Sequence, residues 1–297
     1  MRTILCPLCE HDHSDLVAHR RDRGLTIATV ACRDCGLVYH NPVIEDQDRL
    51  DLAVSPRQWH TGEAAGFSRQ LRKLEKRWNL QWPMIQPAFT PGCRVLEVGC
   101  GLGLMGARLK SQGAQVWAVE PDPDQAAYAR DHHGLTVFCG RFEAAVLDAA
   151  PFDLILASHV IEHFPDPLDF LRRVRTYSHP DTWLFLETPN ILAPKVSYRR
   201  MFSPAHNFYF APQTLRWLLT KAGWQEEKLQ VWRRDAFQVL ARPAEPQPPA
   251  VDPAVAGRVK RAIARHRYLY YLKLLFIWRK IPWWQKYWMY QPTESGR

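Results

Sequence analysis

Four cysteines near the start of the 297-residue chain stand in two pairs of the form Cys-x-x-Cys. The pairs are Cys6 with Cys9 and Cys32 with Cys35, and 22 residues separate them. Each pair supplies two thiolates at a spacing typical of zinc sites, and together they complete the four ligands of a closed tetrahedral site. In so small a module, metal binding would be coupled to folding. We therefore predict a structural Zn²⁺ ion on these four sulfurs.

The same cysteines could instead form disulfides or a redox pair. The opening segment MRTILCPLCEHDHSD lacks the long apolar run of a signal peptide, so we expect a cytoplasmic protein with reduced thiols. Reduced thiols favour zinc. The remaining cysteines, Cys93, Cys100 and Cys139, are expected to be packed in the interior.

A second cluster consists of Gly99, Gly101 and Gly103, which follow the apolar run RVLEV and precede a helical pattern. Glycines permit positive φ and let a ligand approach the backbone near the free N–H groups of a helix start. The spacing fits an NAD-binding fingerprint poorly, and no Gly-Lys-Ser/Thr follows as in a phosphate-binding loop. The turn by itself is weak evidence for one ligand.

Two acids narrow the choice of ligand. Glu97 lies two residues before the first glycine, where it would repel a pyrophosphate and attract an ammonium group. Glu120 ends the next apolar run, where a carboxylate can accept both hydroxyls of a ribose. A ribose and an ammonium without phosphates describe S-adenosylmethionine.

Short apolar runs alternate with helical patterns from residue 91 onward, and these elements must position the glycines and acids. The runs are RVLEVG, AQVWAVE, LTVFCG, FDLILAS, TWLFLETP, LQVWRR and FQVLARP. Continuous apolar strands separated by helices predict an α/β fold with a doubly wound, mostly parallel sheet covered on both faces. We expect the last two of the seven strands to form an antiparallel pair.

The motifs VLEVGCGLG, VWAVEPD, FDLILASHVIEHFPDP and LFLETPN, in this order, resemble class I S-adenosylmethionine-dependent methyltransferases. The resemblance covers residues 94–243, about half of the chain, and implies a seven-stranded Rossmann-like sheet. It places the methionine part at the glycine turn, the ribose at the acid after the second strand, and adenine beside residues 141–143. The implied cofactor-binding residues are Glu97, Gly99, Cys100, Gly101, Gly103, Glu120, Pro121, Arg141, Phe142, Glu143 and Ser158.

Methyl transfer requires alignment of donor and acceptor and, for a protonated acceptor, a base. Three histidines follow the fourth and fifth strands, at the edge where the acceptor should bind: His159, His163 and His206. The family often has EH.F.DP at the first of these segments, which favours a structural or pocket-lining role for His163. The spacing of His159 and His163, with Glu162 between them, also allows a metal pair.

The segment that begins at His206 resembles the branch of the family that includes ubiquinone-type O-methyltransferases and sugar methyltransferases. Sugar C-methyltransferases of that branch carry Tyr-x-Glu-His, whereas this chain has Ser203, Pro204, Ala205 and His206. The histidine is kept and the tyrosine and glutamate are absent, which favours O- or N-methylation. His206 is thus predicted as the base, or else as an anchor for its loop.

The segment CRDCGLVYHNP resembles the end of a zinc ribbon that precedes the methyltransferase domain in some sugar and polysaccharide-cluster enzymes. The predicted organisation has five parts. These are a zinc ribbon at 1–45, a helical lead-in at 46–90, the methyltransferase domain at 91–243, a proline-rich linker at 244–257 and a basic aromatic helical tail at 258–297.

The formal net charge of +9 belongs mostly to the tail, which has ten Lys/Arg and one acid from Arg258 onward. Cations and Pro282 interrupt its apolar residues, so it should not cross a bilayer. Its tryptophans and tyrosines favour a peripheral position on the inner membrane face through residues 258–290. Packing on the core, a homodimer interface and stacking on single-stranded nucleic acid are the alternatives.

Together these features predict methyl transfer to a sugar, glycan or lipid-linked intermediate, most readily at oxygen. An RNA methyltransferase and a non-catalytic module that binds S-adenosylmethionine and a partner protein are the alternative functions. A zinc ribbon also precedes the catalytic domain in some ribosomal RNA methyltransferases, which keeps RNA open as a substrate.

Overall fold

The computed structural model describes residues 1–22, 25–45, 64–194, 201–232 and 236–280, with the backbone alone for 64–71, 73 and 273–280. The aromatic residues of the tail between 283 and 290 lie outside this range. The predicted contact of those residues with a membrane therefore stays a prediction.

Seven strands form the main sheet in the order β10-β11-β8-β7-β4-β5-β6. They are β4 (Arg94–Val98), β5 (Gln115–Glu120), β6 (Thr136–Cys139), β7 (Phe152–Ser158), β8 (Ser178–Pro189), β10 (Trp224–Trp232) and β11 (Ala236–Pro243). The first five run parallel, and β11 is antiparallel to both β8 and β10. The predicted doubly wound sheet with an antiparallel closing pair is confirmed.

In the described part of the chain, five helices accompany the strands of the sheet, and two of them begin at aspartate caps. They are α1 (Ala64–Ile85), α2 (Leu104–Ser111), α3 (Pro123–His133), α4 (Pro167–Thr176) and α5 (Pro212–Lys221). Asp122 and Asp166 accept the first free N–H groups of α3 and α4, and each is followed by a proline at the first helical position. Because the five strands are parallel, their carboxyl ends meet along one edge of the sheet.

A second sheet joins the cysteine module to the methyltransferase region. Its strands are β1 (Ser14–Asp22), β2 (Leu25–Cys32), β3 (Val38–His40) and β9 (Phe208–Tyr209), in that order. The last strand comes from the segment after β8, so residues far apart in sequence complete one sheet. The predicted ribbon therefore shares its sheet, and one continuous apolar core, with the larger domain.

The last described helix, α6 (Pro253–Lys280), begins inside the segment predicted as a linker. Asp252 Oδ1 accepts the N–H of Ala254, which caps the helix before the predicted start at 258. Its first turns pack on the cysteine module, where Gly36 has φ +76 and an added Cβ would lie 2.7 Å from Ala256 Cα. Among the described helices, none combines the length and apolar character needed to span a bilayer.

The packing predicted for three cysteines holds for two of them. Cys93 and Cys100 are buried, whereas Cys139 is exposed. The prediction for Cys139 is wrong because β6 is the edge strand of the sheet among the described residues, so its last residue is covered by a neighbouring strand on one side alone.

Candidate active site

The turn between β4 and α2 presents backbone groups at the open edge of the sheet. Gly99, Gly101 and Gly103 have φ values of 70, 56 and 73°, which side chains disfavour. The N–H groups of Gly99 and Cys100 both donate to the carbonyl of Val119, at 2.8 and 3.2 Å. These bonds hold the turn against β5.

Glu97 lies beneath the turn and is almost fully buried. Its Oε2 accepts the N–H of Gly106 at 2.9 Å. Burial raises the pKa of Glu97 to about 8, although the bond from Gly106 acts in the opposite direction. A buried carboxylate of this kind can pair with a cationic group, which would lower its pKa again.

Glu120 closes the other side of the turn. Its Oε2 accepts the N–H of Gly101 at 2.7 Å, and its Oε1 accepts the N–H of Asp122 at 2.9 Å. Burial raises the pKa of Glu120, and both backbone bonds counteract this effect. Because each carboxylate oxygen can accept two hydrogen bonds, these two use half of its capacity.

A pocket of ≈ 220 Å³ lies between the turn and α1. Its lining residues are Leu74, Arg77, Trp78, Gln81, Glu97, Gly99, Cys100, Gly101, Leu102, Leu104, Met105, Gln125, Ser158 and His159. Gln81 Nε2 donates to Ser158 Oγ at 2.7 Å, which ties α1 to the end of β7.

The lining fits the methionine part of S-adenosylmethionine. Glu97 offers an anionic partner to its ammonium group, and Arg77 offers a guanidinium to its carboxylate. The glycine turn leaves the backbone open to a ligand, and Glu120 beside it can accept ribose hydroxyls. The sequence and the pocket therefore agree on the class of cofactor.

His159 stands at the end of β7 between two buried carboxylates and has φ 57°. Its Nε2 lies 3.0 Å from Glu187 Oε1, and its Nδ1 lies 3.3 Å from Glu162 Oε1. Burial lowers the pKa of His159, but the two carboxylates outweigh burial and raise the pKa to about 9. Burial likewise opposes ionisation of Glu162, whose pKa the imidazolium lowers to about 2. The ring is therefore a cationic donor near neutral pH.

His163 and His206 pack against each other on the far side of Glu162. Their ring centroids are 4.6 Å apart and the rings are nearly perpendicular. His163 Nδ1 lies 2.6 Å from the carbonyl oxygen of Ala205, to which it donates. Burial lowers the pKa of His206 to about 3, so this imidazole is neutral near pH 7.

The same group could hold a metal ion. One ligand atom from each of Glu162, His163 and His206 lies within 4.8 Å of the others. Glu162 Oε1 is buried and makes no hydrogen bond to any described residue, its approach to His159 being an ion pair. A carboxylate and two imidazoles suit a divalent cation. The metal pair predicted from His159 and His163 is thus not the set that the structure groups together.

The four predicted zinc ligands converge in the cysteine module. The Sγ atoms of Cys6 and Cys35 are 3.5 Å apart, and those of Cys9 and Cys32 are 3.4 Å apart. These separations exceed a disulfide bond of ~2.05 Å and approach the ~3.8 Å expected between sulfurs on one zinc ion. The four sulfurs lie within 4.8 Å of one another. The donor set and its spacing fit a tetrahedral zinc ion.

Comparison with protein-family models places residues 62–229, more than half of the chain, in a family described as a methyltransferase domain. This chain belongs to that family. The methyltransferase resembles a ubiquinone biosynthesis O-methyltransferase of Xanthomonas campestris pv. campestris, with 37% identity over 152 residues. A protein of the same name from Methylocella silvestris is 36% identical over 109 residues.

The first match covers 48% of the methyltransferase and 62% of the Xanthomonas protein. The second match covers 35% of the methyltransferase and 43% of the Methylocella protein. Two solved structures of S-adenosylmethionine-dependent methyltransferases also align with it. The Mesorhizobium loti protein gives 17% identity and a TM-score of 0.47 over 55% of this chain and 97% of that one. The Aquifex aeolicus protein gives 18% identity and a TM-score of 0.46, and the alignment covers 58% of this chain and 96% of that one. The family match over residues 62–229 shows that the chain carries a methyltransferase domain.

Several residues predicted to bind the cofactor meet in the pocket of the methyltransferase, and others lie beside or away from it. Glu97, Gly99, Cys100, Gly101 and Ser158 line the pocket. Gly103 lies in the same turn. Glu120 is the last residue of β5, which flanks the turn, and Pro121 follows Glu120 in the chain.

The predicted adenine segment forms a short helical turn after β6. Phe142 is buried and packs against Phe164 and Phe170, whereas Arg141 and Glu143 flank it with their charged groups 3.8 Å apart. The place of adenine beside this segment stays a prediction. The Phe142 side chain belongs to the core, so a ligand would meet its backbone.

Sequence reasoning missed the wall of the pocket formed by α1, and it missed Glu187, one of the two carboxylate partners of His159. Arg77 and Gln81 lie on a helix that precedes the recognisable motifs, so no local signal marks them. Glu187 stands in the motif LFLETPN at the end of β8, and a strand-end acid beside the predicted histidines was a signal available in the sequence.

Proposed function

We propose that the protein transfers a methyl group from S-adenosylmethionine to an oxygen atom of a sugar, glycan or lipid-linked intermediate. The observation that carries this proposal is the pocket in which the glycine turn and Glu97 adjoin His159. The names of the matched relatives, which are O-methyltransferases of ubiquinone biosynthesis, support oxygen as the acceptor atom. A lipid-linked acceptor agrees with those names better than a free sugar does.

Several residues of the chain would hold the donor. Glu97 would pair with the ammonium group and Arg77 with the carboxylate, and the carboxylate of Glu120 would accept the ribose hydroxyls. When bound, S-adenosylmethionine supplies a methyl group already activated on a sulfonium ion. The protein's main task is therefore to align the acceptor and to remove its proton.

We propose that His206 accepts the proton, because burial lowers its pKa and keeps the imidazole neutral near pH 7, although the same low pKa makes it a weak base. Transfer of the methyl group to the acceptor oxygen would leave the electron pair of the carbon–sulfur bond on the sulfur of the donor. The hydroxyl proton passes to a ring nitrogen of His206. His159 is already protonated and both of its ring nitrogens face carboxylates, so it cannot serve as the base.

The test combines cofactor binding with turnover. Calorimetry should detect S-adenosylmethionine binding by the native protein, and no binding would end the assignment. Mass spectrometry should then detect methyl transfer to one member of a panel of polyprenylated phenols, glycans, nucleotide sugars and RNA. We expect His206→Ala to lower kcat at least ~100-fold with unchanged cofactor affinity, while the exposed His132→Ala changes neither.

The same assay distinguishes a base from a metal ligand. If mild chelation abolishes turnover and Mg²⁺ or Mn²⁺ restores it, while the zinc content stays constant, Glu162, His163 and His206 act as metal ligands. In that case His206 is not the base. Turnover that survives in His206→Ala also contradicts the base role.

We also propose that Cys6, Cys9, Cys32 and Cys35 bind one structural Zn²⁺ ion. The convergence of four thiol groups without an additional open ligand position supports a structural site rather than a catalytic one. Metal analysis of the purified chain should give one zinc per molecule, and a metal-free protein of equal stability would contradict the proposal.

Two other functions remain as outcomes of the panel. Methylation of RNA would favour an RNA methyltransferase, for which the basic tail supplies a charge argument. Cofactor binding without transfer to any member of the panel would favour a non-catalytic partner-binding module. A homodimer interface and a peripheral position on the inner membrane face, both predicted for residues 258–290, are further proposals.

A further inference from the structure

A groove of ≈ 1050 Å³ separates β1 of the cysteine module from α6. It lies apart from the cofactor pocket, and its lining shares no residue with that pocket. The volume is at the upper end of the range for small-molecule sites, about 300–1,000 Å³. It is large enough for a charged headgroup together with part of an apolar chain.

The groove has an excess of positive charge. Arg21 on β1 and Lys260 and Arg267 on α6 contribute cations to its walls. Asp15 is the single acid among the described lining residues, and Lys260 Nζ and Arg33 Nε each lie 2.5 Å from its carboxylate. Because two cations already face Asp15, the groove retains a positive field and attracts anions.

Apolar side chains stand exposed beside these cations. Leu16 is 65% exposed, Tyr268 is 66% exposed and Tyr271 is 58% exposed, and all three line the groove. Clustered exposed apolar side chains mark interaction sites. Tyrosines next to arginines and lysines are typical of the headgroup zone of a membrane, where the cations meet phosphate and the rings reach the acyl boundary.

We propose that this groove seats the headgroup of an anionic phospholipid and so docks the protein on a negatively charged membrane surface. A soluble anion would not require exposed Leu16 and Tyr268 beside the cations, whereas a lipid uses both. The membrane contact that the sequence predicts for residues 258–290 would then include β1 together with the described part of α6.

The groove is connected to the proposed acceptor site. Arg20 lines it and donates from Nη1 to the carbonyl oxygen of Phe202 at 3.1 Å. Phe202 also lines the groove, and its ring contacts Tyr209, whose hydroxyl donates to the carbonyl oxygen of His206 at 3.0 Å. A membrane seated here would lie beside the loop that carries His206, which suits a lipid-linked acceptor and, in this respect, rests on the proposed function.

The test is flotation of the full chain with phosphatidylcholine vesicles that contain or lack phosphatidylglycerol. We expect binding only to the vesicles with phosphatidylglycerol, and less binding as salt rises. The double variant Arg21→Glu with Arg267→Glu should reduce the vesicle partition coefficient about tenfold or more. The matched control, Arg130→Glu with Lys228→Glu on other exposed surfaces, makes the same change of charge and should bind like the native chain.

A second variant tests the apolar contact without changing the charge. Leu16→Ser with Tyr268→Ser should weaken binding to the anionic vesicles several-fold and leave binding to heparin, a polyanion without acyl chains, unchanged. Equal binding of this variant and the native chain to the vesicles would overturn the proposed lipid seat. The lipid seat would also be overturned, in favour of RNA, if the chain bound single-stranded RNA more tightly than vesicles and the double variant Arg21→Glu with Arg267→Glu lost this RNA binding.

A chain truncated after residue 280 separates the groove from the rest of the tail. It should retain binding that depends on Arg21 and Arg267, and loss of all binding on truncation would overturn the proposal. Calorimetry with S-adenosylmethionine accompanies each variant. Normal cofactor binding without vesicle binding refutes the groove alone, whereas absent cofactor binding in the native chain refutes the proposed function.

Discussion

The side chain of Asn207 pairs with both backbone groups of Ile44. Its Oδ1 accepts the N–H of Ile44 at 2.9 Å, and its Nδ2 donates to the carbonyl oxygen of Ile44 at 2.9 Å. The backbone N–H of Asn207 donates to the carbonyl oxygen of Glu162 at 2.8 Å. One buried amide therefore links the end of the cysteine module to the segment that carries Glu162, and the proposed base His206 is its neighbour in the chain.

Replacement of Asn207 by alanine should misplace the acceptor histidines while sparing the cofactor pocket. The variant leaves the N–H and carbonyl groups of Ile44 without their partner, which should cost about 1–3 kcal/mol of stability. We expect a lower kcat and a higher acceptor KM, with the Kd for S-adenosylmethionine within about twofold of the native value. The exposed Gln225→Ala is the control, and unchanged kinetics in Asn207→Ala would refute this positioning role.

Loss of one zinc ligand should disturb the loop that carries His206. Cys35→Ser should abolish zinc binding and lower the thermal midpoint, because the metal stabilises a module with a small core. Since β3 pairs with β9, which follows His206, methyl transfer should fall further than cofactor binding does. The exposed Cys139→Ser serves as the matched control and should keep one zinc per chain. If methyl transfer and cofactor binding fall equally in Cys35→Ser, the variant is generally unfolded and the predicted effect on the loop is refuted.

Glu97→Gln should stabilise the cofactor-free protein and weaken cofactor binding. The folded-state pKa of about 8 lies above the ordinary 4.5, so the folded protein binds the extra proton and stability falls as pH rises from 4.5 to 8. Removing the charge should raise the free energy of unfolding of the cofactor-free protein by on the order of 4 kcal/mol at pH 8. Chemical denaturation of both proteins, with the exposed Glu227→Gln as control, measures this difference.

The affinity for S-adenosylmethionine should depend on the same ionisation. Below the pKa of Glu97 the carboxyl group must lose its proton before it can pair with the ammonium group. The native Kd should therefore fall by up to about tenfold per pH unit between pH 5.5 and 7.5, whereas Glu97→Gln should show a weaker and flatter profile. Parallel profiles for the two proteins would refute the pairing of Glu97 with the ammonium group.

His159→Gln should remove a contribution to stability that disappears at high pH. The folded-state pKa of about 9 lies above the ordinary 6.5, so this contribution is complete below pH 6.5 and is lost as pH rises through 9. The difference in unfolding free energy between the native chain and the variant should shrink by at most about 3 kcal/mol over this range. The exposed His132→Gln should track the native chain, and a constant difference in His159→Gln would contradict the ion pair.

The parallel sheet was predictable because buried parallel strands are continuous apolar runs. FDLILAS became β7 and RVLEVG became β4, each near its predicted bounds. The start of α6 was misplaced for a local reason, since the proline-rich composition around Pro253 concealed an aspartate cap followed by a proline at the first helical position. Residues 244–252, up to that cap, form neither helix nor strand.

The cofactor turn was also predictable, because its glycines and acids lie within one short segment of chain. Contacts across long stretches of sequence were not. His159 could be located at a strand end, but its charge depends on Glu187, which is 28 residues away in the sequence. The pairing of Asn207 with Ile44 joins residues 163 positions apart and has no local signature.

The sequence by itself determined the fold class, the family, the glycine turn with its two acids and the four thiols suited to zinc. Local spacing and hydrophobic periodicity encode these features directly. The tertiary structure decided that β9 completes the sheet of the cysteine module, that α1 closes the pocket with Arg77, and that His159 is cationic while His206 is neutral. Burial and distant partners control each of these outcomes, and neither is a property of a short segment of chain.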